Sequence, residues 1–198
     1  MGFKGWFYHF LDMKRGLRFT RFNTELSSID TALLLAGVIY TREYFDEEKL
    51  QERRIRELAD AILDRVDWQW MTDESHFIRM GCHPQTGFRK ERWTGYNEAS
   101  IPYLLAIGAR NRSVSPAAWP AWTATFNWRT HYGFAYLEFP PLFGHQYSQC
   151  WLDLRRLKDG YMRQHESTYF ENSRRATLAQ RAYCTANPGK HQGYGSQL

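Results

Sequence analysis

Between Thr24 and Val66 the apolar residues recur at the spacing of two helices of unequal polarity, and this pairing constrains the fold more than any other feature of the chain. Ser27-x-x-Asp30 reads as a capping-box-like helix start, and Ile29, Ala32, Leu33, Ala36 and Tyr40 give the period of one buried face. Ala32, Ala36 and Gly37 are small enough to let a neighbouring helix pack closely. From Asp46 to Val66 the pattern turns amphipathic, with Leu50, Ile55, Leu58, Ile62 and Val66 on the apolar side and Glu47, Arg53, Glu57 and Asp60 on the wet one. A buried helix followed by a more polar one recurs later in the chain, which predicts a helix-dominated, layered architecture.

The remaining segments fit around these pairs. Gly2 to Phe22 alternates aromatic and polar residues, predicting extended structure with a turn at Lys14-Arg15-Gly16. Trp68 to Arg92 reads as a β-excursion that turns at His83-Pro84-Gln85-Thr86-Gly87. Asn97 is a good N-cap, so the chain is expected to become helical there, with Ile101, Leu104, Leu105 and Gly108 on the apolar face. Pro102 is compatible with such a helix only near its start. A Ser/Pro/Arg loop, a Trp-rich segment (Trp119, Trp122, Phe126, Trp128) and an irregular aromatic run to Pro141 follow. Phe143 to Ser148 leads into an expected helix carrying Trp151, Leu152, Leu154 and Leu157, and Arg163 to Thr168 reads as a short connection. A last helix opens near Glu171 and is ended by Asn187-Pro188-Gly189.

A chain of 198 residues with 43% hydrophobic content buries a sizeable core, and no linker or low-complexity tract divides it. The net charge of +5 is spread along the chain, which argues against a nucleic-acid footprint. Three widely separated cysteines imply no disulfide framework, and Cys82-His83 with His76 lacks the paired spacing of a structural zinc site. No apolar run is long enough to span a bilayer, and Lys4, His9, Asp12 and Lys14 interrupt anything resembling a signal peptide. Aromatic residues make up 17% of the chain, more than a core of this size needs. Rings in excess beside carboxylates and amides are how proteins stack against sugars or bases.

The carboxylates themselves gather near helix starts. Glu98 is expected in the first turn of its helix, where the dipole favours its charged form while burial beside Trp93 and Tyr96 would raise its pKa. Such a residue also serves simply to complement the dipole. Asp30 is open to the same two readings, a cap or a cleft residue, and His9 and Asp12 could line a polar cleft or satisfy local backbone groups. Helices pointing the same way would gather Glu25, Asp30, Glu98, His145 and Glu171 at one mouth. Two carboxylates in an aromatic cleft are the equipment of glycoside hydrolysis, in which one acid protonates the leaving oxygen and a carboxylate activates water or attacks.

Five stretches sharpen that reading. Gly5-Trp6-Phe7-Tyr8-His9-Phe10-Leu11-Asp12-Met13, Glu25-Leu26-Ser27-Ser28-Ile29-Asp30-Thr31-Ala32-Leu33-Leu34, Trp93-Thr94-Gly95-Tyr96-Asn97-Glu98-Ala99, Pro141-Leu142-Phe143-Gly144-His145-Gln146-Tyr147-Ser148 and Tyr169-Phe170-Glu171-Asn172-Ser173-Arg174-Arg175-Ala176-Thr177 occur in that order. Together they resemble the bacterial glucoamylase-like domain family, which includes endo-β-1,2-glucanases and is related to the C-terminal region of cyclic β-1,2-glucan synthases. The resemblance implies an all-α fold, part of an (α/α)6 barrel with a short β-hairpin excursion. It implies inverting hydrolysis of a β-linked glucan, β-1,2-glucan favoured, without a metal or organic cofactor. By motif, Glu98 would be the general acid and Asp30 an acidic residue near the bond being cleaved. Glu25, Trp93, Tyr96, Asn97, His145, Tyr147, Glu171 and Arg174 would line sugar subsites.

Family domains carry helices before the Tyr-His-Phe-Leu-Asp motif and after Gly193-Tyr194-Gly195. The resemblance therefore implies that residues 1–198 form a single domain incomplete at both ends, from a protein expected to be periplasmic or secreted and monomeric when complete. Its partner would be an oligo- or polysaccharide, not nucleic acid or a membrane. Two other readings use the same residues: a sugar epimerase or phosphorylase on the same barrel, or a carbohydrate-binding remnant without activity.

Overall fold

The computed structural model describes residues 2–195 of the chain. They group into two compact units, the chain up to Trp93 together with Ala99–Trp122, and Thr94–Glu98 together with the chain from Thr123 onward.

The first unit opens with a ribbon of β1 (Gly2–Phe3) and β2 (Trp6–Phe7), and β3 (Leu26–Ser27) runs directly into α1 (Ser28–Tyr44). Then come α2 (Leu50–Leu63), α3 (Trp68–Met71), β4 (Gly81–His83), β5 (Gly87–Phe88), α4 (Ser100–Gly108) and α5 (Ala118–Thr123). The strands β3, β4 and β5 form a small antiparallel sheet in that order. Helix α1 packs on α2 and α4. The expected turn near Lys14 is present, closed by a bridge between Leu11 and Arg18.

The start of α1 is as expected: Ser27 caps it by accepting a hydrogen bond from the Asp30 N–H. Its buried face is so only in part: Ala32 is buried as expected, but Ser28, Thr31 and Leu35 point inward beside it, while Tyr40 is 67% exposed. Hydroxyls rotate the helix toward the core because they find partners there. Ser28 Oγ–H donates to Met80 O at 3.1 Å and accepts from Trp93 Nε1–H at 2.8 Å, and Thr31 Oγ1 accepts from Phe7 N–H at 3.0 Å. A hydrogen-bonded hydroxyl is buried at little cost, and a pattern read from apolar residues alone misses it.

Other boundaries shift for local reasons. Helix α2 begins at Leu50 instead of Asp46, because the Glu47 N–H is taken by the Glu52 carboxylate at 2.9 Å in a turn ahead of the helix. The excursion after Trp68 starts as the short helix α3, capped by Asp67, before it becomes the β4–β5 hairpin. Helix α4 starts at Ser100, so Asn97 is not its cap: the Asn97 side chain donates to Thr94 O at 3.0 Å. Glu98 precedes the helix, and Pro102 falls in the first turn, where no intrahelical N–H is required. The face that α4 buries is Ile101, Pro102, Tyr103 and Ala106, whereas Leu104 is exposed. Tyr103 draws it round by accepting from the Ile78 N–H and donating to Trp93 O at 2.9 Å, with its ring stacked on Trp122 at 4.8 Å.

The second unit is built on β6 (Trp128–His131) and β7 (Phe134–Leu137), a four-pair hairpin where the sequence suggested an irregular run. Its signal was the two-residue Tyr132-Gly133 loop, in which both residues have positive φ (+51° and +79°). Then follow α6 (Phe143–Gln146), a 3-10 turn over Tyr147–Cys150, α7 (Gly160–Gln164) and α8 (Tyr169–Ala186). The helix expected to carry Trp151 and Leu157 does not form. Asp153 accepts from the N–H and the guanidinium of Arg155, a local closure that competes with helical bonding. Helix α8 packs along β7 and α6; Thr168 caps its start and Asn187, at φ 42°, ends it as expected. Leu137, Met162, Tyr169, His145 and Asn172 form the centre of this unit.

Candidate active site

The segment Thr94–Glu98 is a turn held within the second unit. Gly95 N–H donates to Thr125 Oγ1 at 2.7 Å, and the Tyr96 ring is enclosed by Phe126 (5.6 Å, edge-on), His145 (5.1 Å) and Tyr169 (6.2 Å, stacked). Burial pushes the Tyr96 hydroxyl up, opposed by hydrogen bonds with Ser173 and Asn172. The turn is therefore anchored by its tyrosine, and the residue it presents two positions later is Glu98.

Glu98 is only 8% exposed, and its Oε2 is buried without a hydrogen-bond partner among the described residues. Desolvation raises its pKa above the ordinary carboxylate range, only partly countered by its own backbone N–H. Gly144 makes the space. A Cβ on it would collide with the Phe139 ring at 2.2 Å and come within 3.3 Å of Glu98 Oε2, so a larger residue there would displace the ring and crowd the carboxyl. A carboxyl whose pKa is raised by burial is suited to the role of proton donor.

His145 shares this unit but is itself enclosed. It is fully buried; its Nε2–H donates to Phe139 O at 3.1 Å, and Nδ1 faces Asn172 Nδ2–H at 3.4 Å. Burial lowers its pKa to about 4, so the ring is neutral across the physiological range. With both nitrogens engaged it offers nothing to a sugar. In this structure it is a buried polar group together with Asn172, which also accepts from Leu137 N–H at 2.7 Å. Tyr96, Asn97 and Trp93, also expected to line sugar subsites, are likewise buried. Trp93 lies in the first unit and spends its N–H on Ser28. Tyr147 is exposed at the start of the 3-10 turn. Glu171 sits in the first turn of α8 and is held by Arg174 and Arg175 at 3.3 and 3.0 Å.

In the first unit, His9 brings two of the expected acids together. Its Nδ1 lies 3.1 Å from Glu25 Oε1 and its Nε2 3.4 Å from Asp30 Oδ2, with Arg89 3.7 Å from the same Glu25 oxygen. Asp30 also accepts from Ser27 Oγ–H at 2.5 Å and remains partly exposed. Burial works to raise the Glu25 pKa, but backbone and His9 hydrogen bonds and the charges of His9 and Arg89 hold it below the usual value. The sequence placed Glu25 and Asp30 at a helix start; what it did not show is that His9, sixteen residues before Glu25, joins them. Gly144, Phe139, Asn172 and Ser173 were also missed as site residues, although Gly144, Asn172 and Ser173 lie within two of the five quoted stretches. Among the described residues no group of three or more His, Cys, Asp or Glu is arranged to hold a metal, and no helix is long and apolar enough to cross a membrane.

The family model described as "Putative glucoamylase" matches residues 90–198. The chain is 26% identical over 224 aligned positions to the exo β-1,2-glucooligosaccharide sophorohydrolase (non-reducing end) of Parabacteroides distasonis, covering 98% of this chain and 30% of that protein. Its fold matches the β-1,2-glucanase crystal structure from the same organism with a TM-score of 0.85 at 25% identity, over 98% of this chain and 32% of that one. The endo-β-1,2-glucanase from Chitinophaga pinensis, solved with sophorotriose and glucose, superposes with a TM-score of 0.88 at 24% identity, over 98% and 49% respectively. The chain thus spans from about a third to about half of the length of the proteins it resembles.

Proposed function

Because the chain belongs to the glucoamylase-like family, we propose that it serves a glycoside hydrolase that cleaves a β-linked glucan, β-1,2-glucan above all, by inversion. The observation that carries this reading is Glu98: a buried carboxyl with a raised pKa and an oxygen unpartnered among the described residues. Inverting hydrolysis needs one acid protonated at working pH to release the leaving sugar, and one ionised carboxylate to activate water on the opposite face of the ring. Glu98 takes the first role. By the family motif Asp30, partly exposed and beside His9, acts as an acidic residue near the bond being cleaved, with Glu25 held charged next to it. The (α/α)6 barrel is the architecture that this family membership favours for the helix-rich fold. The β-1,2 linkage rests on the relatives, which are named for β-1,2-glucans and β-1,2-glucooligosaccharides.

The test is turnover of β-1,2-glucan by the full-length gene product, with the anomer of the new reducing end read by NMR immediately after cleavage. Inversion delivers the α-anomer first. Glu98→Gln is expected to lower turnover on the order of 10²–10⁴-fold, the range a positioned proton donor supplies, and to remove the alkaline limb of the pH–rate profile. Retention of more than roughly a tenth of wild-type turnover would return Glu98 to a structural role.

A further inference from the structure

The β6–β7 hairpin carries a residue that its turn does not favour. Tyr132 adopts φ +51° in the two-residue loop, where a side chain branching into a bulky ring is disfavoured and Asn or Gly would sit at lower cost. Backbone strain of this kind is a reason to ask what the ring does. The Tyr132 ring is 46% exposed, and it meets Tyr183 of α8 edge-on at 6.2 Å.

Between the hairpin and α8 lies an open cleft of about 250 Å³, lined by Tyr132, Tyr136, Tyr183, Phe139, Glu138 and Gln180 among others. Its rings are held in place. Tyr136 contacts His131 at 5.7 Å, and Tyr183 also meets Tyr194 at 6.5 Å. Its carboxylate is held as well: Glu138 accepts from Asn127 Nδ2–H at 3.1 Å and lies 3.4 Å from both Arg129 and His131. Three tyrosines around a fixed, half-exposed carboxylate and an amide combine apolar faces with directional acceptors and donors. A protein partner would be better served by an apolar centre, and an anion would find Arg129 and His131 already paired with Glu138. A neutral ring with a flat apolar face and equatorial hydroxyls satisfies both parts of the lining. Phe139 belongs to this cleft and also packs over Gly144, whose position lies against Glu98 Oε2, so the cleft and the candidate acid share one aromatic wall.

We propose that the cleft between the β6–β7 hairpin and α8 is a further sugar subsite, which stacks a glucan ring on Tyr132 and Tyr183 and fixes its hydroxyls through Glu138. The proposal rests on the glucan reading above and adds to it a binding surface that none of the five sequence stretches contains in full.

The probe is a β-1,2-glucooligosaccharide series, titrated calorimetrically into the wild-type chain and into Tyr132→Asn and Tyr183→Ala, with β-1,3- and α-1,4-linked oligosaccharides in parallel. Tyr132→Asn is informative because it suits the turn better than tyrosine. The expected result is a melting temperature that stays level or rises, while affinity for the longer β-1,2 oligosaccharides falls roughly 2–12-fold for each ring removed. Equal affinity of the variants and the wild type overturns the subsite and leaves the hydrolase reading standing. Tyrosine-dependent binding of another linkage alone keeps the subsite and overturns the β-1,2 assignment. No binding of any oligosaccharide overturns both.

Discussion

Two acidic sites in this protein use opposite electrostatics. Glu98 is buried in the second unit, with one oxygen unpartnered among the described residues and its pKa raised by desolvation. Glu25 and Asp30 lie at the start of α1, bound to His9, with Glu25 further drawn down by Arg89. One setting favours the neutral carboxyl and the other the carboxylate. Acid and base roles in hydrolysis are assigned by such a divergence of environment. It follows that the two sites should respond oppositely to charge-removing substitutions and to pH, and experiments can be ranked by how hard they press on that contrast.

The largest effect is expected from Asp30→Asn in the full-length gene product. If the α1 site works through charge, turnover of β-1,2-glucan should fall on the order of 10²-fold or more. Stability should hardly move. The cap of α1 is Ser27, and an amide oxygen at position 30 can still accept from Ser27 Oγ–H, while the helix loses the dipole contribution of one partly exposed charge, about 0.3–1 kcal/mol, and its half-exposed pairing with His9. Turnover equal to wild type at an unchanged melting temperature would reduce Asp30 to complementing the helix dipole, and the contrast with Glu98 would lose its catalytic meaning.

A smaller effect, with opposite signs at the two sites, is expected in stability against pH. The folded pKa of Glu98 lies above the ordinary value of 4.5, so the stability it confers is whole below pH 4.5 and is lost as pH rises through the folded value. The folded pKa of Glu25 lies below 4.5, so its contribution is present above pH 4.5 and is lost as pH falls through the folded value. Melting temperatures of Glu98→Gln should therefore gain on wild type as pH is raised from 4 toward 8. Those of Glu25→Gln should fall furthest behind near neutrality and close the gap in acid. Parallel curves for the two variants would mean that their surroundings do not differ in the way their partners indicate.

How much of this contrast could be read from the sequence follows from the range of the interactions involved. The α1 site was legible in outline because capping is local: Ser27, Asp30 and Glu25 lie within six residues. The last helix was legible for the same reason, from Glu171 to Asn187. What was not legible depends on contacts between distant segments. His9 reaches Glu25 across a loop, Gly144 makes room for Glu98 from 46 residues away in the chain, and the buried face of α1 is set by hydroxyls whose partners are Met80, Trp93 and Phe7. The hairpin of β6 and β7 was hidden in an aromatic run because its turn uses Tyr132 where Asn is the recognisable signal. Four candidate sugar ligands, Trp93, Tyr96, Asn97 and His145, are buried here, and their types suit either a sugar or a polar core, a choice the sequence alone does not separate.

The smallest expected effect asks whether the dryness that raises Glu98 belongs to its surroundings as a whole. If it does, a basic group nearby must be shifted in the opposite sense, because burial penalises whichever form carries charge. His145 is that group. It contacts Tyr96 and Phe139, the two residues that also bound the Glu98 turn and pocket, and its pKa is lowered from 6.5 to about 4 chiefly by desolvation, against the hydrogen bond to Phe139 O. Its stabilising contribution is therefore present above pH 6.5 and is lost as pH falls through about 4. By NMR, the carbon-bound ring protons of His145 should hold one chemical shift from pH 8 to pH 5 and begin to move only near 4. A midpoint close to the ordinary 6.5 would mean that water reaches the imidazole. The same water would then solvate Glu98, lower its pKa, and remove the physical ground for assigning it the proton.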